Sequence, residues 1–174
     1  LRCCAIARFS NLMASVIDFA NAGGKVLGVC NGFQILCESH LLPGVLLRNK
    51  DQKFICKNIH LRTETGNTIL TGRLNEGDVL KIPIAHAEGR FHASDETLQE
   101  LIANDQILFK YCDENGNINE ESNFNGALHN IAGICNSGRN VFGMMPHPER
   151  AAEDILGNSD GLRILEGLMA GVGV

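Results

Sequence analysis

Residues 24–36, Gly24-Lys25-Val26-Leu27-Gly28-Val29-Cys30-Asn31-Gly32-Phe33-Gln34-Ile35-Leu36, decide how the chain folds. An apolar run from Val26 to Val29 stops at Cys30, and an amphipathic pattern through Phe33, Leu36 and Cys37 begins at once. This is a strand turning sharply into a helix with a cysteine at the corner, the cysteine form of the G-x-S-x-G nucleophile elbow. Glycine is expected at both Gly28 and Gly32 because strand and helix approach so closely there that side chains would collide. The turn leaves the thiol at a helix N-terminus, where the helix dipole is expected to favour the thiolate.

Around the elbow, helices and strands alternate. Ser10 is placed to cap a helix over 11–21 with Met13, Val16, Ile17 and Ala20 on one face. The strand over 25–29 leads into the elbow helix over 31–40. Strands follow at 54–62 and 79–85, the second alternating through Leu80, Ile82 and Ile84. Ser94-Asp95-Glu96 starts a short helix carrying Leu98, Leu101 and Ile102, and further strands fall at 107–112, near 127–135 and at 140–145. A polar loop spans 113–126, and a last helix over 160–170 is expected to use Leu162, Leu165, Leu168 and Met169. Helices and strands alternate at both ends of an antiparallel-looking centre, the pattern of an α/β sandwich.

Composition narrows the classes. The 174 residues are 44% hydrophobic, enough for one domain with a sizeable core. A net charge of −5 without a basic block argues against nucleic acid or a membrane surface as partner. No apolar run approaches the ~18 residues of a membrane span. Seven cysteines, odd in number and without C-x-x-C spacing, favour reduced thiols and a cytoplasmic location over disulfides or zinc. Gly24-Lys25 is no phosphate loop, because Phe19 stands at the first glycine position and Val26 at the Ser/Thr position. The chain opens in mid-motif at Leu1-Arg2-Cys3-Cys4, without methionine, so a domain incomplete at its N-terminus is expected.

An elbow cysteine needs a base, and two of the six histidines lie in H-x-E pairs, His86-Ala87-Glu88 and His147-Pro148-Glu149. Two residues apart in an extended segment, imidazole and carboxylate share a side, so the acid can fix the tautomer and stabilise the imidazolium. The second pair follows the apolar strand Val141–Met145 and is locked by two prolines, which favours it; spacing alone leaves the first open. A cysteine between glycines can also be only a small buried residue at a tight turn. The strand ending in Pro-His-Pro-Glu weighs towards chemistry. His40, His60, His92 and His129 read as surface or satisfied histidines, and a metal site from the two pairs is disfavoured without H-E-x-x-H.

These motifs, with Leu1–Arg8, Pro43-Gly44-Val45-Leu46-Leu47-Arg48-Asn49, Phe54-Ile55-Cys56-Lys57, Ile82–Gly89 and Gly143–Arg150, resemble the class I (triad) glutamine amidotransferases along the whole length. The Leu-Leu-Arg-Asn and Ile-Pro-Ile-Ala-His stretches are most similar to the glutaminase components of phosphoribosylformylglycinamidine synthases. The resemblance implies a three-layer α/β sandwich of flavodoxin-like type whose first strands are missing here, over a single domain at 1–174. It implies Cys30 as nucleophile, His147 as general base and acid, and Glu149 as its orienting carboxylate. Asn31, Gly32, Gln34 and His86 are implied as substrate-binding residues, with Glu88 beside His86 at the pocket wall.

The same resemblance implies release of ammonia from glutamine for a synthetase subunit or domain of formylglycinamidine synthase, with a small third subunit in some assemblies. ATP and magnesium are then expected on that partner, and no cofactor in this chain. A second oxyanion donor comes, in this family, from a glycine-rich loop upstream of Leu1-Arg2; without it the 174 residues alone are expected to be impaired by ~10²–10³. Cys4 departs from the family's usual glycine. Three other readings stay open: the glutaminase of another synthase, distinguished by its acceptor; a silent docking or regulatory module; and an elbow-cysteine peptidase.

Overall fold

A computed structural model describes residues 3–170; the Leu1-Arg2 portion of the leading motif lies outside the described residues. The elements are α1 (Cys3–Ala7), α2 (Asn11–Asn21), β1 (Val26–Val29), α3 (Asn31–Glu38), β2 (Val45–Leu47), β3 (Ile55–Thr63), β4 (Val79–His86) and β5 (Arg90–His92), followed by α4 (Asp95–Ala103), β6 (Ile107–Cys112), β7 (Ile131–Cys135), β8 (Val141–Met144) and α5 (Asp160–Ala170).

Six strands form one mixed sheet in the order β1-β8-β7-β6-β3-β4, in which β1 and β8 run parallel and every other neighbouring pair is antiparallel. Strands β7 and β8 are buried at every position, as central strands covered on both faces must be. β4 instead buries alternate residues, Leu80, Ile82 and Ile84, as its sequence pattern predicts. Helix α3 packs on β1 and β8, and α5 packs on β4. This is the expected α/β glutamine amidotransferase architecture. Ser10 caps α2 by accepting the Met13 N–H at 3.3 Å, and Ser94 caps α4 by accepting from Thr97 at 3.2 Å. No helix among the described residues is long and apolar enough to cross a membrane.

Two expectations change. The short antiparallel pair β2–β5, three residues on each side, has no signal in the sequence. The buried face of α5 is Gly161, Ile164 and Gly167, whereas Leu162 is 40% and Met169 71% exposed. Backbone carbonyls explain the glycines. A Cβ at Gly167 would lie 2.5 Å from the Ile69 oxygen, and one at Gly161 would strike the carbonyl oxygens of Pro148 and Ala151. No side chain fits at those two positions; Ile164 between them and the half-buried Leu168 supply the apolar packing of the helix.

Candidate active site

Parallel pairing brings the C-terminal ends of β1 and β8 to the same edge of the sheet, with Val29 opposite Met144. Cys30 follows the first strand and continues its ladder, donating its N–H to the Met144 carbonyl at 2.8 Å. His147 follows the second, donating its N–H to the Pro83 carbonyl at 2.8 Å. Two residues 117 positions apart in the numbering thus line one pocket of about 590 Å³.

Cys30 has φ 52° and ψ −106°, a conformation that side-chain-bearing residues rarely adopt and that costs about 1–3 kcal/mol. The elbow stores this strain to present the thiol at the start of α3. Only one of the two flanking glycines is required by crowding. A Cβ on Gly28 would lie 2.5 Å from Leu36 Cδ1 and 2.6 Å from the Gly32 carbonyl carbon, but one on Gly32 would meet nothing within 4 Å. The collision expected at Gly32 is therefore absent, because the close approach is of Gly32's own backbone onto Gly28.

The thiolate expectation also changes. Burial pushes the Cys30 thiol above its ordinary value, outweighing the Asn31 N–H at the helix start and the Arg150 guanidinium, which pull it down. A buried thiol in its neutral form needs a base. His147 is 8% exposed; its Nδ1 lies 2.6 Å from Glu149 Oε1, and its Nε2 is buried with no protein partner. A carboxylate can only accept, so Nδ1 carries a proton, and in the neutral ring the lone pair is then on Nε2. The short turn over Pro148–Ala151, opened by proline, sets Glu149 beside the ring.

The competing H-x-E pair is not a pair. His86 is buried and bonds through Nδ1 to Asn49 Oδ1 at 3.1 Å, whereas Glu88 reaches Arg48 at 3.7 Å. Gln34 also lines the pocket, yet its amide bridges protein groups: Nε2 donates to the Glu88 carbonyl, and Oε1 accepts from the Cys4 thiol at 3.0 Å. Asn31 lines the pocket at the helix start, and Gly32 does not reach it. His40, His92 and His129 are exposed, His60 is half-buried, and none lines the pocket. Sequence reasoning missed Asn49 and Arg150 as parts of this site. Both stood within motifs quoted above, but their roles depend on contacts made across the fold.

A strained cysteine elbow, a histidine held by an acid and an α/β sheet joining them are the parts of a class I glutamine amidotransferase. The profile of the CobB/CobQ-like glutamine amidotransferase domain matches residues 3–160, and the chain belongs to that family. Within it, the chain is 54% identical over 170 residues to the phosphoribosylformylglycinamidine synthase subunit PurQ of Chlorobaculum parvum, covering 98% of this chain and 68% of that one. It is 52% identical over 170 residues to the PurQ subunit of Aquifex aeolicus, covering 98% of this chain and 75% of that one. The PurLQS structure from Thermotoga maritima superposes with a TM-score of 0.86 at 35% identity, over 99% of this chain and 74% of that one. A glutamine amidotransferase from the same organism shares the fold, with a TM-score of 0.51 at 14% identity over 91% of this chain and 50% of that one.

Proposed function

We propose that Cys30, His147 and Glu149 are the triad with which this chain, the glutaminase component of phosphoribosylformylglycinamidine synthase, releases ammonia from glutamine. His147 Nε2 takes the thiol proton, and the Cys30 sulfur attacks the carboxamide carbon, moving the C=O electron pair onto oxygen. The Asn31 N–H, already directed at the cysteine, faces the region where that negative charge develops. As the tetrahedral carbon collapses, the C–N bond breaks and His147 returns the proton to nitrogen, giving ammonia and a γ-glutamyl thioester. Water, deprotonated by the same imidazole, then hydrolyses the thioester to glutamate.

The ammonia goes to the PurL-type synthetase subunit, assembled with the small PurS-type subunit, for conversion of formylglycinamide ribonucleotide to formylglycinamidine ribonucleotide in purine synthesis. ATP and magnesium belong to that partner in this reading, and the assembly works in the cytoplasm. The observation that carries the triad is the 2.6 Å His147–Glu149 contact, with the opposite ring nitrogen unpartnered in the pocket that holds Cys30.

The test compares wild type with Cys30→Ser in the assembled synthase with ATP. Glutamine-dependent product formation should fall by about 10⁴-fold or more while ammonia-dependent formation persists. A serine variant that keeps the glutamine-dependent rate sinks the assignment. Glutamine hydrolysis uncoupled from this acceptor would point to another synthase.

A further inference from the structure

Two connections cross side by side between the small sheet and the large one. Residues 48–54 lead from β2 to β3, and residues 87–89 lead from β4 to β5. Strand pairing fixes both ends, with Leu47 opposite Arg90 in the small sheet and Ile55 opposite His86 in the large one. The first connection is the longer, so its excess has to fold out as a turn. Both line the pocket that holds Cys30, the first through Arg48, Gln52 and Phe54 and the second through Ala87 and Glu88.

Asn49 joins the two. It is 2% exposed and does not itself line the pocket. Its Nδ2 donates to the Lys53 carbonyl at 2.8 Å, across its own turn, and to the His86 carbonyl at 2.9 Å, at the end of β4. Its Oδ1 accepts the Gly89 N–H at 3.1 Å and lies 3.1 Å from His86 Nδ1. Two donors and two lone pairs are all that a primary amide has, and all are used. The backbone adds more: the Asn49 N–H donates to the Ala87 carbonyl and its carbonyl accepts the Gln52 N–H, each at 2.9 Å. The turn needs such a tie. Gln52 within it has φ 56°, a left-handed conformation that a residue with a side chain keeps only where its surroundings impose it.

We propose that Asn49 is a positioning residue for glutamine: its amide ties the two connections together and holds the pocket wall they form in place before the substrate arrives. This rests on the glutaminase reading. Asn49 touches neither the substrate nor the reacting atoms, and the triad is carried by other segments, the ends of β1 and β8. Loss of the tie therefore weakens glutamine binding and leaves the chemical step nearly intact.

Asn49→Asp tests this with a side chain of the same shape. It keeps both accepting contacts but turns an oxygen towards the Lys53 and His86 carbonyls, where two N–H bonds stood. In the assembled synthase with ATP, the KM for glutamine should rise about tenfold or more, with kcat within about threefold of wild type. Ammonia-dependent turnover should be unchanged. Leu98→Ala, in the buried face of α4 and outside the pocket, is the control for lost stability alone. It should lower the melting temperature and leave the KM within about twofold of wild type. Should Asn49→Asp not fold, Asn49→Ser carries the same comparison, since its short hydroxyl cannot reach both connections.

A KM rise below about fivefold overturns the proposal, as does a kcat loss larger than the KM rise. So does a Leu98→Ala variant that matches the KM rise, because the effect then belongs to general stability. Cys30→Ser is run alongside. If it retains the glutamine-dependent rate, the glutaminase reading falls and takes this one with it. If it is inactive while Asn49→Asp keeps the wild-type KM, only this inference falls.

Discussion

Cys30 sits between opposing influences, and their balance decides how it is activated. The Asn31 N–H and Arg150 lower its pKa, while burial and the Glu149 carboxylate raise it, and burial is the largest of the four. The resting thiol is therefore expected to be protonated at neutral pH, and in the proposed mechanism its proton is removed during turnover. Alkylation of Cys30 by iodoacetamide should accelerate steadily as pH rises past 9.0, the ordinary thiol value, with no plateau near neutrality. Arg150→Ala, which removes a lowering charge, should move the profile to higher pH still. A plateau below pH 7 would mean a resting thiolate–imidazolium pair and would overturn this account. The cysteine elbow itself was legible in the sequence, because an apolar run, a glycine-flanked cysteine and an amphipathic pattern follow one another without a gap. Between His86 and His147 the flanking strand and prolines favoured His147, but spacing left His86 open, since both occupy H-x-E at strand ends. What separates them is Asn49, which captures His86 from 37 residues away in the chain.

At the level of elements, the elbow works because β1 and α3 touch through Gly28. Adding a methyl there forces it against Leu36 and the Gly32 backbone, and backbone cannot rotate away as a side chain can. Gly28→Ala should destabilise the chain by about 1–3 kcal/mol and reduce glutamine turnover through displacement of Cys30. Gly32→Ala, in open space within a helix, should leave thermal stability equal or raise it by up to about 1 kcal/mol. Thermal unfolding of the two variants checks the contrast; equal destabilisation would show that the crowding has been misassigned. Helix starts were readable because Ser10 and Ser94 announce them, and long strands were readable from alternation. The β2–β5 pair was not, since three residues carry no period. Nor were the glycine contacts of α5, where neighbouring carbonyls require Gly161 and Gly167, although the expected Leu168 does pack on the core.

Across the whole molecule, the site is assembled from distant segments and then held from behind. β1 supplies Cys30, the chain after β8 supplies His147 and Glu149, and the last helix supports the turn that carries the acid. Asp160, the first residue of α5, accepts the Lys81 N–H of β4 at 2.8 Å, which pins the helix to the strand leading to His86. Gly161 lets the next turn of α5 settle on the Pro148 and Ala151 carbonyls, on either side of Glu149. A methyl at Gly161 must push the helix or the turn, and the 2.6 Å His147–Glu149 contact lies on the turn. Gly161→Ala should therefore lower kcat for glutamine about tenfold or more, with destabilisation of about 1–3 kcal/mol. The exposed neighbour Leu162→Ala should leave turnover within about twofold. If the loss passes through the acid, combining Gly161→Ala with Glu149→Gln should cost little beyond Glu149→Gln alone, because the contact being misplaced is already gone. Fully additive losses in that double-mutant cycle would mean that α5 stabilises the fold without positioning Glu149.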